Sequence, residues 1–302
     1  MTRLASKKML ALLPLGIFAV ALVTIVAAYQ ATFAAGVLDF YGGTVKTPPI
    51  SMLMFAGPGR FYGQIGFPLV GILFGCIAPT FFMGLEQAIL VAYNKSTSAT
   101  TTTNNSTLSP HSFAIFLLKL SSFIAFICLA IVGLLPLQED LEFVITRRGH
   151  HKITTQSIIH QVSAAVFFCF AILHMATWLV LMRSFQKATG QQSLFETTHS
   201  LSTRVSMWIK STCLVLCFVP LPQAFLLHPI SPVHGKLGLG KADRGGLMQY
   251  TLVACVAIFF ASYSIELWRM ADLVVAEDAH AATDESFQKQ TKRRSEETKK
   301  SK

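Results

Sequence analysis

The sequence predicts an all-α polytopic membrane bundle of about six transmembrane helices, and three observations carry that prediction. Of the 302 residues, 52% are hydrophobic and only 13% are charged, with a mean hydropathy of +0.53. A soluble domain of this length needs far more charge to cover its surface. The apolar residues also fall in long runs separated by polar stretches, and several runs reach the roughly 20 residues needed to cross a hydrocarbon core of about 30 Å. Finally, the formal charge of +10 sits in short flanks and loops beside those runs, where basic residues orient helices and touch anionic headgroups. That placement argues against a nucleic-acid partner.

The first helix is expected at about 9–31, after the basic flank of Arg3, Lys7 and Lys8. The uncharged stretch from Met9 to Leu38 is too long for the apolar region of a usual signal peptide, so a retained helix is favoured over cleavage near Thr32-Phe-Ala-Ala-Gly. The basic flank predicts a cytosolic N-terminus. Residues 32–62 read as a loop punctuated by Gly and Pro. A second helix is expected at 63–92, bent by Pro68 and Pro79, with Gly71 and Gly75 forming a G-x-x-x-G pair that permits close helix contact. Residues 93–111 form a low-complexity Ser/Thr/Asn loop. Its sequons at Asn94, Asn104 and Asn105 are expected to go unused, because the crossing count places them in the cytosol.

Further helices are expected at 112–137, 157–182, 205–227 and 247–268, which makes a bundle of residues 1–270. Residues 271–302, rich in Lys, Arg, Glu and Ser, read as a disordered cytosolic tail. Six crossings place both termini in the cytosol. The six cysteines all lie within apolar runs and read as small packing residues, without disulfide or zinc spacing.

Charges in membrane helices face the bundle interior, pair or snorkel. Glu86, Lys119, Lys210 and Glu266 fall near the expected cytosolic helix ends, where snorkelling and mutual pairing account for them; the sharper alternative is a cluster that binds a lipid headgroup. His160 and His174 lie fourteen residues apart in the fourth helix, a spacing seen in histidine pairs that hold b-type haems. No other apolar run carries a matching pair, so no cofactor is expected. The loop histidines His150, His151, His228 and His234 read as polar lining, and no metal site is expected.

Several short motifs occur in a telling order: Leu13-Pro-Leu-Gly-Ile-Phe in the first helix, Pro48-Pro-Ile-Ser and then Pro58-Gly-Arg-Phe in the first loop, and His160-Gln-Val-Ser-Ala-Ala-Val-Phe-Phe followed by His174-Met175 in the fourth helix. Together they resemble the Frag/DRAM/Sfk superfamily of six-helix membrane proteins over about residues 10–270. The chain is most similar to the branch that remodels the lipid of glycosylphosphatidylinositol (GPI) anchors after attachment. Two departures stand out. Met52 occupies the position where the autophagy-modulator (DRAM) branch has Asp. The GPI branch has an acidic residue midway along the last helix, whereas Tyr250 to Ser264 contains none and the nearest is Glu266.

The resemblance implies acyl exchange on a GPI lipid in the lumenal leaflet of the endoplasmic reticulum or Golgi. Its partners would be membrane lipids and GPI-anchored proteins. His160 is the candidate general base, since an imidazole titrates near neutral pH. Arg60 is expected to hold an anchor phosphate, and Ser51 to line the entrance. His174 and Glu266 complete the substrate-binding set. Lys299-Lys300-Ser-Lys fits the dilysine pattern that COPI-type retrieval machinery reads. The alternative function is a non-enzymatic regulator or scaffold of lipid distribution or autophagy.

Overall fold

The computed structural model describes residues 2–36, 47–54, 57–97, 110–137, 154–189, 200–218 and 241–268. Every element among them is helical: α1 (Thr2–Ala34), α2 (Ile50–Leu53), α3 (Gly59–Thr97), α4 (Pro110–Leu134), α5 (Thr155–Thr189), α6 (Ser200–Cys217) and α7 (Lys241–Ala261). After a turn at Ser262 the chain is helical again to Trp268. Among the described residues, five stretches are long and apolar enough to cross a membrane: Ala11–Ala34, Gly59–Glu86, Ser112–Leu134, Thr155–Lys187 and Gly245–Trp268. This is a polytopic helical membrane bundle. The fifth expected helix, 205–227, is seen only in α6, whose 18 residues carry Arg204 and Lys210; residues 219–227 lie outside the described residues. So do the tail, the sequons Asn104 and Asn105, and the four loop histidines.

The helices outrun the apolar stretches that predict them. α1 and α5 begin earlier than expected, and α5 also ends later. Residues 93–97 and 110–111, expected as loop, belong to α3 and α4, and the expected loop 32–62 contains α2 and the first turn of α3. Hydropathy registers only the part of a helix that must be apolar, whereas the backbone stays helical until a residue stops it. Gly36 is such a residue. It adopts φ 68°, a left-handed conformation that costs glycine little, and its N–H reaches the Phe33 carbonyl at 3.0 Å. α3, by contrast, runs on through Pro68 and Pro79.

Contacts fix the direction of each helix. A Cβ on Gly66 would meet Thr24, and one on Gly59 would meet Thr32, so α1 and α3 are antiparallel. Lys119 pairs with Glu86 and Gly133 packs on Pro68, which reverses α4 against α3. His160 bonds to Leu135, placing the start of α5 beside the end of α4. Lys210 meets Glu266 and Cys217 meets Cys255, so α6 and α7 are antiparallel as well. Each helix therefore reverses the one before it, the single turn of α2 apart. The Ala11 end of α1 and Trp268 lie at one end of the bundle, while α2 and the start of α5 lie at the other.

The bundle is inside-out by the standards of a water-soluble protein. Ile72, Phe113, Phe123, Val180 and Val215 are all more than three-fifths exposed, while Ser121, Ser122, His174 and Lys210 are almost wholly buried. In water such an exterior is an aggregation surface; in lipid it is the solvated face, and polar groups turn inward to bond one another. Aromatic rings fill the layer between. Phe74 stacks on Phe126 at 3.8 Å, and Phe260 meets both edge-on at 4.7 and 5.3 Å. Edge-on and offset stacking of this kind favours ring quadrupoles beyond simple burial.

Candidate functional site

The expected site residues separate into two groups at different depths. The first group forms where α2 lies across the end of the bundle. Pro49, with φ −52° and ψ 145°, cannot continue a helix backwards and turns the chain into Ile50–Leu53. The Ile50 N–H donates to Gln249 Oε1 at 2.9 Å, and the Thr32 hydroxyl donates to the Leu53 carbonyl at 3.3 Å. The single turn of α2 is thereby pinned between α1 and α7.

α5 starts opposite. Thr154 caps it, accepting the Ser157 N–H at 3.2 Å. One turn further on, buried His160 lies 2.8 Å through Nδ1 from the Leu135 carbonyl. A carbonyl only accepts, so Nδ1 carries a proton, and in the neutral form of the ring the lone pair is on Nε2. Ile50, Ser51, Met54, His160, Gln161 and Gln249 line a cavity of about 360 Å³ here, a size within the usual range of small-molecule clefts. Ser51 and His160 are thus brought together. Arg60 is half-buried in the first turn of α3, at the same end of the bundle but outside the cavity lining.

His174 and Glu266 lie elsewhere. Fourteen residues of helix separate His174 from His160, about 20 Å along the axis. Its Nδ1 sits 3.2 Å from the Leu118 carbonyl and within 3.4 Å of the Ser121 and Ser122 hydroxyls. Its Nε2 lies 2.7 Å from the Tyr263 hydroxyl. This wiring has Nδ1–H donating to α4 and Nε2 accepting from Tyr263 in the helical turn after α7, so one imidazole ties α5 to both neighbours. His174→Phe is expected to cost roughly 1–3 kcal/mol by leaving the Tyr263 hydroxyl unpaired, measured as a lower unfolding midpoint in detergent.

Glu266 lies deeper toward the opposite end. Its Oε1 accepts from Lys210 Nζ at 2.7 Å and from the Ser206 hydroxyl at 2.6 Å. Trp178, Phe259 and Tyr263 surround the ammonium, with ring centroids at 5.7, 5.7 and 4.7 Å. Pairing, expected for these charges, is what holds them. Snorkelling does not describe Lys210, which is completely buried, because the aromatic cage and the carboxylate replace the water it would otherwise seek. Glu266 Oε2 and the Trp178 indole N–H are buried with no hydrogen-bond partner among the described residues. Glu266, the acid nearest the middle of the last helix, is thus engaged with a lysine.

Sequence reasoning missed Gln249, Tyr263, Ser206 and Trp178. Two of these carried a local signal. Ser206 precedes Lys210 by four residues and Tyr263 precedes Glu266 by three, so each shares a helix face with its charge. No family model matches the chain, and neither a curated protein nor a solved structure gives a match.

Proposed function

We propose that this membrane protein handles lipid at the cavity between α2 and the start of α5, and that it acts in GPI-anchor lipid remodelling, exchanging an acyl chain at the lumenal leaflet of the early secretory pathway. The observation that carries the reading is the convergence of Ser51 and His160, from segments more than a hundred residues apart, on one cavity at the end of an apolar bundle. The resemblance set out above supplies the substrate class.

The chemistry follows from the tautomer. The Nε2 lone pair of His160 takes the proton of a lipid hydroxyl as that oxygen bonds to the carbonyl carbon of an activated acyl donor. The same proton is returned to the departing group. Ser51 lines the entrance, and Arg60 at the first turn of α3 meets the anchor phosphate, which its planar fork suits. His174 and Glu266 serve the helix packing in this reading.

His160→Ala is expected to lower remodelling of a reporter's anchor lipid by roughly a hundredfold or more while protein levels hold, as read by mass spectrometry of GPI lipids. Unchanged anchor lipids would remove His160 from the chemistry. A scaffold would behave in the opposite way, tolerating His160→Ala and losing function on deletion of residues 271–302 even when correctly localised.

A further inference from the structure

A further cavity belongs to neither group. A groove of about 650 Å³ runs down the lipid-facing side between α3 and α4, from Gly71 and Ala130 at one end to Met83 and Lys119 at the other. The twelve residues from Gly71 to Met83 span about 18 Å of helix. Two glycines in its lining differ. Gly71 packs against α4, where a Cβ would lie 2.8 Å from the Phe126 carbonyl, whereas a Cβ on Gly75 would meet nothing within 4 Å. Only the first glycine of the G-x-x-x-G pair brings helices together. The second opens a slot whose walls, Ile72, Phe116 and Phe123, are exposed.

The groove ends at an ion pair. Lys119 Nζ lies 2.9 Å from Glu86 Oε2, and both side chains are more than two-fifths exposed. Lys119 is seven residues into the Ser112–Leu134 span, so the pair faces the membrane about 10 Å from its start. An exposed pair gains little from its own attraction, and at this depth it needs further polar partners.

We propose that the groove holds one phosphatidylethanolamine molecule, an acyl chain lying along α3 and α4 and the headgroup spanning the ion pair. Charge complementarity selects the class: the phosphate meets Lys119 and the ammonium meets Glu86. An anionic headgroup without an ammonium leaves Glu86 facing like charge. A choline headgroup brings charge but no N–H donors, whereas a primary ammonium brings three. The headgroup sits at the end of the bundle opposite Ser51 and His160, so this lipid occupies the other leaflet and is separate from the substrate proposed above.

The test uses the full chain purified in detergent, exposed to phosphatidylethanolamine, phosphatidylcholine or phosphatidylglycerol, with retained lipid counted by native mass spectrometry. The expected result is preferential retention of a single phosphatidylethanolamine. Gly75→Phe, which fills the slot, should cut retention about tenfold with no change in unfolding temperature. Glu86→Gln should reduce the ethanolamine preference over choline to parity while the chain stays bound. Equal retention by Gly75→Phe and the native chain overturns the proposal, as does native binding that does not distinguish the three headgroups. Loss of a dimer in Gly75→Phe, with no lipid retained by either form, assigns the groove to a second copy and overturns it too.

Discussion

Lys210→Met is expected to destabilise the protein by roughly 3–5 kcal/mol, the cost of stranding one member of a buried ion pair. The ammonium is completely enclosed and donates to both Glu266 and Ser206. Its removal leaves a buried carboxylate that has one oxygen already without a partner among the described residues, beside the three aromatic rings that had received the ammonium. Thermal unfolding of the purified protein in a fixed detergent measures the effect. Lys210→Met combined with Glu266→Leu should recover most of the loss, because two apolar side chains remove the need for pairing altogether. If the single change leaves the unfolding temperature within a degree or so of the native value, the pair does not organise α6 against α7.

The second large effect is expected at Gly59, the second residue of Pro58-Gly-Arg-Phe. A Cβ there would collide with Thr32 and the Leu53 carbonyl and would lie 2.9 Å from the Ala28 carbonyl. Two of the three obstacles are backbone, on two different elements, so no side chain can simply rotate away. Gly59→Val is expected to cost roughly 3 kcal/mol and to push α2 off the end of α1. Gly75→Ala is the matched control: it adds a methyl to the same helix in open space and should stay within roughly 0.5 kcal/mol. Size-exclusion profiles after graded heating report both. Equal behaviour of the two variants would show that α3 does not need its close approach to α1 and α2.

The sequence made the architecture legible wherever lipid dictates composition. The core of each long span is apolar because the bilayer requires it, and alternation of direction then places the first loop and His160 at one end, as the contacts show. What sequence could not reveal was which charge pairs with which. Glu86, Lys119, Lys210 and Glu266 all stood out as ionisable groups in apolar runs, but the pairing follows from which helices are neighbours: α3 beside α4 and α6 beside α7. The depth of the pairs was equally hidden. Lys119 remains exposed and Lys210 disappears, although both are lysines in similar runs, because only the second has three aromatic rings to receive it. Helix ends were missed for a related reason. Outside the hydrocarbon, no compositional rule marks where α3 stops at Thr97 or where α5 starts at Thr155.

One consequence follows from the aromatic layer of Phe74, Phe126 and Phe260. It stands between the histidine of the α2 end and the histidine, lysine and glutamate further down, with the His174 ring lying 5.1 Å from Phe260 on its far side. Phenylalanine side chains carry neither a hydrogen-bond donor nor an acceptor. These three rings therefore offer no hydrogen-bonded relay between the two polar groups on either side of them.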